Sequence, residues 1–491
     1  MKLSLETCAE WMGGELSPAA GAIASQVVGG YSIDSRTVGV GQLFFAVSGE
    51  RYDAHRFVAD ALSRGAAAAV VALGKVDGSG ESAPGMPLIF TDKQIDKPVD
   101  KQIDKPIDKP VDNSIDNPVD GPLLALQRLG AAVRRHWGGT LIGLTGSAGK
   151  TTTKEMVAAV LSAKYNVLKS AGNLNNHFGV PLQLLRLEPE HRFAVIEMGM
   201  SGAGEIALLA GLAAPDWGVV TNVGVAHAGN FADGVEGIAL AKRELIDALS
   251  PERGVAFLNA DDPRVAGYAA SFGGRVVLVG RGEAAEVRAV AIEERGTEGS
   301  RMRVRAGGKE EWVQLRFLGG HNASNALLAL AVGVEAGVSL ETGATALAGL
   351  APGEKRGELL QVRGAQVIND CYNSNPAALS AMIETLMRVP AERHILIAGE
   401  MLELGPETGA LHAEAGEQAA RAGVDWVVGV QGAALALAEE AAKLGVQALF
   451  LANAEEAGAW LGRELRAGDA VLVKGSRGVR LERALAGIEP G

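Results

Sequence analysis

A chain of 491 residues that is 47% hydrophobic has room for about three cores of ordinary domain size, which excludes a fibre or a peptide. Forty-six Lys and Arg against 58 Asp and Glu leave a net charge of −12, so the chain as a whole repels a phosphate backbone and nucleic acid is not an expected partner. Two cysteines, Cys8 and Cys371, cannot build a disulfide framework and suit a reducing compartment. With Glu6 and Glu10 where a leader needs apolar residues, and His321, Asn322, Ser324 and Asn325 interrupting the longest uncharged run (317–334), the expectation is a cytoplasmic protein without membrane insertion.

Sixty-five glycines and an aromatic content of 4% favour α/β units with many tight turns. In chain order, an amphipathic stretch over 5–12 precedes strand-like runs at 43–47, 68–73 and 87–90, with a helical pattern over 57–64. From 92 to 120 the texture changes to Ile-Asp-Lys-Pro and Val-Asp-Lys-Gln on a four-residue period, with prolines at 98, 106, 110 and 118. That period matches no strand and the prolines exclude a regular helix, so a solvated, disordered insertion is expected. A helix resumes at 123 and ends near Trp137. The first domain is therefore placed at 1–138.

The next section alternates helical patterns with apolar runs at 140–144, 193–196, 217–220, 255–258 and 276–279, as expected of strands covered on both faces. A doubly wound domain over 139–350 follows, closed by a helix at 322–336. Beyond a hinge at Ala351-Pro352-Gly353, strands near 366–368, 394–397, 426–430 and 470–473 predict a Rossmann-like α/β domain over 351–491.

The chemistry is concentrated at Thr145-Gly146-Ser147-Ala148-Gly149-Lys150-Thr151-Thr152, an apolar strand running through a glycine turn into a helix. Backbone N–H groups there can meet a triphosphate, Lys150 can reach its outer phosphates, and the Thr151 hydroxyl can ligate Mg²⁺. The strict phosphate-loop pattern has its first glycine where Leu144 stands. In an open sheet the ligand lies beyond the carboxyl ends of the strands, where Glu197 and His227 are the candidate metal ligands. An N-cap or solvated role for Glu197 and a loop role for His227 compete with that reading. Lys242 falls inside the apolar stripe of Ile238, Ala241, Leu245, Ala248 and Leu249. A desolvated lysine favours its neutral amine, which can take up CO₂ as a carbamate; a lysine that snorkels or pairs with Glu244 is the alternative.

These residues resemble the Mur ligases, ATP-dependent amide-bond-forming enzymes of peptidoglycan synthesis. The resemblance spans nearly the whole chain outside the repeat. It covers the phosphate loop, the segments holding Glu197 and His227, and Ala241-Lys242-Arg243-Glu244, which is similar to the family's carbamylated-lysine segment. Four further segments, Asn173-Leu174-Asn175-Asn176 with Gly179-Val180-Pro181, Ile196 to Met200, Asn369 to Pro376 and Val473 to Arg477, resemble the member that adds D-alanyl-D-alanine to a UDP-N-acetylmuramoyl (UDP-MurNAc) tripeptide. The resemblance implies three domains: a mixed α/β one for the UDP end, a phosphate-loop ATPase and a C-terminal Rossmann-like domain. It also implies ATP with two Mg²⁺ ions and a carbamate on Lys242, with Lys150, Lys242, His227 and Glu197 as the catalytic set.

Under the same resemblance, Asn322 and Asn325 face adenine, with helix capping as the alternative for Asn322. Arg356 meets a phosphate and Asp370 the ribose. Ser35 and Arg36 grip the muramyl nucleotide, unless Arg36 is a surface ion pair. Asn373, Asn375 and Lys474 lie at the substrate, Asn375 also being placed to cap a helix ahead of Pro376. A monomer is expected. The nearest rival is the sister ligase that adds the third-position diamino acid, whose Asp-Asn-Pro-Arg motif is absent here. More distant rivals are folate polyglutamate ligases, a nucleotide-dependent kinase and an idle phosphate-loop binding protein.

Overall fold

The computed structural model describes residues 1–49, 52–75, 85–91, 120–225, 228–486 and 488. Residues 92–119 of the expected disordered repeat, and His227, lie outside the described residues. Three sheets organise the chain. The first has five strands in the order Glu15–Leu16, Leu88–Thr91, Ala68–Ala72, Gln42–Phe45, Gly30–Ser32, parallel except for the first. Phe44, Val58, Ala61, Ala69 and Val71 form its core.

The middle sheet has nine strands in the order Lys309–Leu315, Ser300–Ala306, Val287–Glu294, Arg275–Gly280, Val255–Asn259, Trp217–Val220, Thr140–Thr145, Phe193–Glu197, Val167–Lys169. The third has six: Glu358–Val362, Ala365–Asp370, Asp469–Lys474, Arg393–Gly399, Trp426–Val430, Gln447–Leu451. Only its first pair is antiparallel. Alternate residues of these strands enter two separate cores. Val367, Val471, Ile395 and Val428 face one way, and Ile368, Leu472, Leu396 and Val427 the other. Side chains in a strand point to opposite faces, so apolar residues at consecutive positions require helices on both sides. The α/β class with three sheets is as expected.

By compactness the chain divides into two units. One comprises Met1–Gly143, Asn166–Gly199 and Gly204–Asp216, and the other Leu144–Tyr165, Met200–Ala203 and Trp217–Gly491. Among the described residues no helix is long and apolar enough to cross a membrane.

The predicted helices and strands fall within a few residues of the observed ones. Eight strands went unpredicted: the short Glu15–Leu16, Gly30–Ser32 and Val167–Lys169, and Val287–Glu294, Ser300–Ala306, Lys309–Leu315, Glu358–Val362 and Gln447–Leu451. In Ser300–Ala306, buried Met302, Val304 and Ala306 alternate with Arg301, Arg303 and Arg305, so the period is that of a half-solvated antiparallel strand and no continuous apolar run exists.

In the first unit a buried arginine anchors the strand that leads to the phosphate loop. Arg134, on the helix Gly121–Trp137, donates to the Ala213 and Ala214 carbonyls at 2.9 Å each and to Asp216 Oδ2 at 2.7 Å. The same Asp216 oxygen accepts the Leu141 amide at 2.8 Å. Truncation would leave the buried Ala213 carbonyl without this donor, at a cost of about 1–3 kcal/mol. Arg134→Ala is expected to lower stability by about 2 kcal/mol or more in urea unfolding, with Arg134→Lys intermediate.

Candidate active site

The phosphate loop sits in the second unit, and its conformation depends on two glycines. Gly149 has φ +78° and precedes the helix Lys150–Ser162, and Gly146 has φ +153°. A Cβ on Gly146 would collide with the Thr221 hydroxyl, and one on Gly149 would meet Asn325 Oδ1 at 2.5 Å. Both glycines are therefore required by close approach as well as by dihedral angle.

Side chains just past the strand Trp217–Val220 hold the loop. Asn222 Oδ1 accepts the Ala148 amide at 2.9 Å, while Asn222 Nδ2 and the Thr221 hydroxyl donate to the Ala148 carbonyl at 3.1 and 2.6 Å. Ser147 is tied to Gly224 through its hydroxyl, which accepts the Gly224 amide at 2.8 Å. Lys150 Nζ donates to the Gly146 carbonyl at 2.7 Å, which folds the lysine over the loop. The Thr145 hydroxyl is buried and has no hydrogen-bond partner among the described residues. Thr151 and Thr152 lie in the first turn of the helix. Sequence reasoning missed Thr221 and Asn222. Their position after an apolar strand was the signal that could have found them.

Lys242 lies on the helix Gly234–Asp247 and is 2% exposed, so it does not snorkel. Among the described residues it has no ion-pair partner, and Glu244 does not pair with it. Burial, with a smaller contribution from the nearby Lys150 ammonium, drives its amine well below the ordinary lysine range. Ile238, Ala241, Leu245 and Leu249 are buried around it as expected, whereas Ala248 is exposed at the helix end. A buried amine held towards its neutral form beside the Lys150 ammonium suits a site for an anion, and a carbamate on Lys242 would pair with that ammonium.

Glu197, in the first unit, ends the strand Phe193–Glu197 and is 3% exposed. Asn175 Nδ2 donates to its Oε1 at 2.9 Å, and its own amide donates to the Ser170 hydroxyl at 3.0 Å. The carboxylate is thus buried and oriented, not a solvated loop group. That is a fitting donor for a hard cation. Among the described residues no three His, Cys, Asp or Glu side chains cluster as a metal site.

Asn322 and Asn325 stand on the helix His321–Glu335, whose N-cap is Gly320, so Asn322 does not cap it. Asn322 Nδ2 donates to the Leu318 carbonyl at 2.7 Å, and Asn325 Nδ2 to Asn322 Oδ1 at 2.9 Å. Asn325 Oδ1 accepts the Thr153 hydroxyl at 3.1 Å. The pair therefore braces the phosphate-loop helix.

In the third sheet, Asp370 and Lys474 are register partners on neighbouring parallel strands and form an ion pair of 2.6 Å, with side chains 16% and 3% exposed. Lys474 Nζ also donates to the Asn373 carbonyl at 2.9 Å, so two of its three protons are used inside the protein. Asn375 caps the helix Pro376–Met387 by accepting the Ala378 amide at 2.9 Å. Arg356 lies 3.6 Å above the Tyr372 ring.

At the far end of the chain, the first unit buries Ser35 and exposes Arg36, whose side chain is 83% exposed. Arg36 binds Asp34 through two hydrogen bonds of 2.9 and 2.7 Å, and that contact brings the Asp34 carboxyl down to about 2. The surface ion pair that competed with nucleotide binding for Arg36 is the one observed.

Comparison with known proteins now decides the family. Models of the Mur ligase middle domain and of the Mur ligase glutamate ligase domain match residues 144–333 and 355–477. UDP-N-acetylmuramoyl-tripeptide--D-alanyl-D-alanine ligase of Mycobacterium tuberculosis is 34% identical over 98% of this chain and 96% of its own length. This chain belongs to the Mur ligase family. Among solved Mur ligases, MurF from Acinetobacter baumannii superposes with a TM-score of 0.83 at 28% identity, covering 99% of this chain and 98% of its own. MurF from Thermotoga maritima in complex with ADP superposes with a TM-score of 0.73 at 27% identity over 93% and 96%.

Placing alanine at 149 forces a left-handed residue, which costs about 1–2 kcal/mol, and displaces Asn325. Gly149→Ala is expected to weaken ADP binding by about tenfold or more in calorimetric titration, while the far-ultraviolet spectrum stays unchanged.

Proposed function

We propose that this chain is an ATP-dependent ligase that joins D-alanyl-D-alanine to UDP-MurNAc-tripeptide, releasing ADP and phosphate, in peptidoglycan synthesis. The buried Lys242 beside Lys150 at a braced phosphate loop carries the ligase reading, because such a site is built to hold crowded negative charge. Likeness to UDP-N-acetylmuramoyl-tripeptide--D-alanyl-D-alanine ligases along nearly the full length supports the substrate assignment over the sister ligase.

Joining an amine to a carboxylate in water needs a better leaving group than oxide. A carboxylate oxygen of the tripeptide attacks the γ-phosphorus of ATP and ADP departs, leaving an acyl phosphate. The D-alanyl-D-alanine amine then attacks the acyl carbon, and phosphate leaves as the amine gives up a proton. Lys150 and Arg356 offset charge on the transferring group. Backbone N–H groups of 146–152 cradle the remaining phosphates, with Asn322 and Asn325 toward adenine and Asp370 toward the ribose.

Magnesium, as two ions when bound, would neutralise phosphate charge. Thr151, Glu197, His227 and the Lys242 carbamate are the residues assigned to hold it. Ser35 and Arg36 would serve the muramyl nucleotide within a domain at 1–138. Domains at 139–350 and 351–491 would serve ATP and the dipeptide, with Asn373, Asn375 and Lys474 at the latter. Since Lys474 is held by Asp370 and Asn373, its part is to shape that segment. We place the enzyme in the cytoplasm as a monomer.

ADP formation should require UDP-MurNAc-tripeptide and D-alanyl-D-alanine together. Turnover of a muramyl dipeptide with a diamino acid instead would replace this reading with the sister ligase. Lys242→Ala should lose most activity, about 100-fold or more, and recover part of it in millimolar short-chain carboxylic acids. Full activity without rescue would remove the carbamate. Because the Lys242 amine is depressed, its neutral form persists to lower pH than for an ordinary lysine. Activity should fall on the acid side as that amine protonates, and added bicarbonate should move the fall to lower pH.

A further inference from the structure

Two guanidinium groups share one phenol ring in the third-sheet region. Arg356 lies 3.6 Å from the centroid of Tyr372, and Arg477, which follows the strand Asp469–Lys474, lies 5.5 Å from it. Arg477 Nη1 also donates to the Tyr372 hydroxyl at 3.5 Å. Among the described residues neither arginine has a carboxylate partner, in contrast to Arg36, Arg134 and Arg393, each paired with an aspartate.

The ring itself is well anchored. The Tyr372 amide donates to the Lys355 carbonyl at 3.1 Å, and Lys355 takes a left-handed φ of +60° that sets the direction of Arg356 beside it. Lys355 is held in turn by Glu482 at 2.9 Å and, through its amide, by Glu358 at 3.2 Å. Like charges brought to one ring repel each other unless an anion joins them, and a planar guanidinium suits phosphate through its fork of donors.

We propose that Arg356 and Arg477 form a two-guanidinium site for the phosphoryl group being transferred or released, and that Tyr372 is the positioning residue that sets their spacing. This rests on the phosphate role of Arg356 given above and adds Arg477 and Tyr372 to it. The two arginines come from segments over 100 residues apart in the chain, so each supplies donors that the other cannot.

The test is steady-state ADP formation by the full-length enzyme with both substrates, together with product inhibition by inorganic phosphate, for Tyr372→Phe, Tyr372→Leu, Arg477→Ala and Arg356→Ala. Thermal melts check each fold. Tyr372→Leu and Arg477→Ala should each lower kcat/KM for ATP by about 5- to 30-fold and weaken phosphate inhibition in parallel, whereas Tyr372→Phe, which keeps the ring, should stay within about threefold of the parent. An impaired Arg356→Ala with Arg477→Ala at parental values overturns the proposal and leaves the role of Arg356 standing. Arg356→Ala at parental values overturns both. Tyr372→Phe falling as far as Tyr372→Leu also overturns it, since stacking would then not be what sets the arginines. Should Tyr372→Leu fail to fold, Arg477→Ala and Tyr372→Phe decide alone.

Discussion

The constraint on which the site depends is the burial of Lys242 next to Lys150. A lysine ammonium without a counter-ion in a dry helix face is costly, and a second cation nearby raises that cost. With no carboxylate partner among the described residues, Lys242 avoids that cost by holding its amine towards the neutral form. The site is thereby suited to anions: phosphate beside Lys150, and the carbamate proposed for Lys242. The depressed amine is the physical ground for the carbamate proposed on Lys242.

Around this charge the scaffold is arranged to keep the loop in place before a nucleotide arrives. Thr221 and Asn222 hold Ala148 from the neighbouring strand, and Asn325 lies against Gly149 while accepting from Thr153. The loop therefore has little conformational entropy left to lose on binding, which is how binding energy is kept for the transition state. The third-sheet region follows the same rule. Lys474 is fixed between Asp370 and Asn373, and Tyr372 carries Arg356 and Arg477, so the charged groups are aimed by packing instead of by substrate.

Much of this was legible in the sequence. Continuous apolar runs located the strands covered on both faces, the glycine turn before Lys150 located the phosphate loop, and the lysine inside an apolar stripe flagged Lys242. The strands at 287–315 were missed because charged residues break up their apolar runs; in Ser300–Ala306, where Arg alternates with Met, Val and Ala, the period of two was readable. Arg36 shows a different limit. Spacing could not tell a phosphate-gripping arginine from one bound to the aspartate two residues before it. Neither could it show that Tyr372, within a motif recognised as a whole, brings together two arginines distant in the chain. Such contacts arise from topology, which sets Asp370 and Lys474 side by side on parallel strands and so brings the segments after them together.

The most direct measurement is carbon-13 NMR of the enzyme equilibrated with labelled bicarbonate. A carbamate resonance should be present in the parent protein near neutral pH and absent from Lys242→Met. No such resonance at any pH, together with a Lys242 amine that titrates like a solvent-exposed lysine, would contradict the account of the buried cation on which the rest stands.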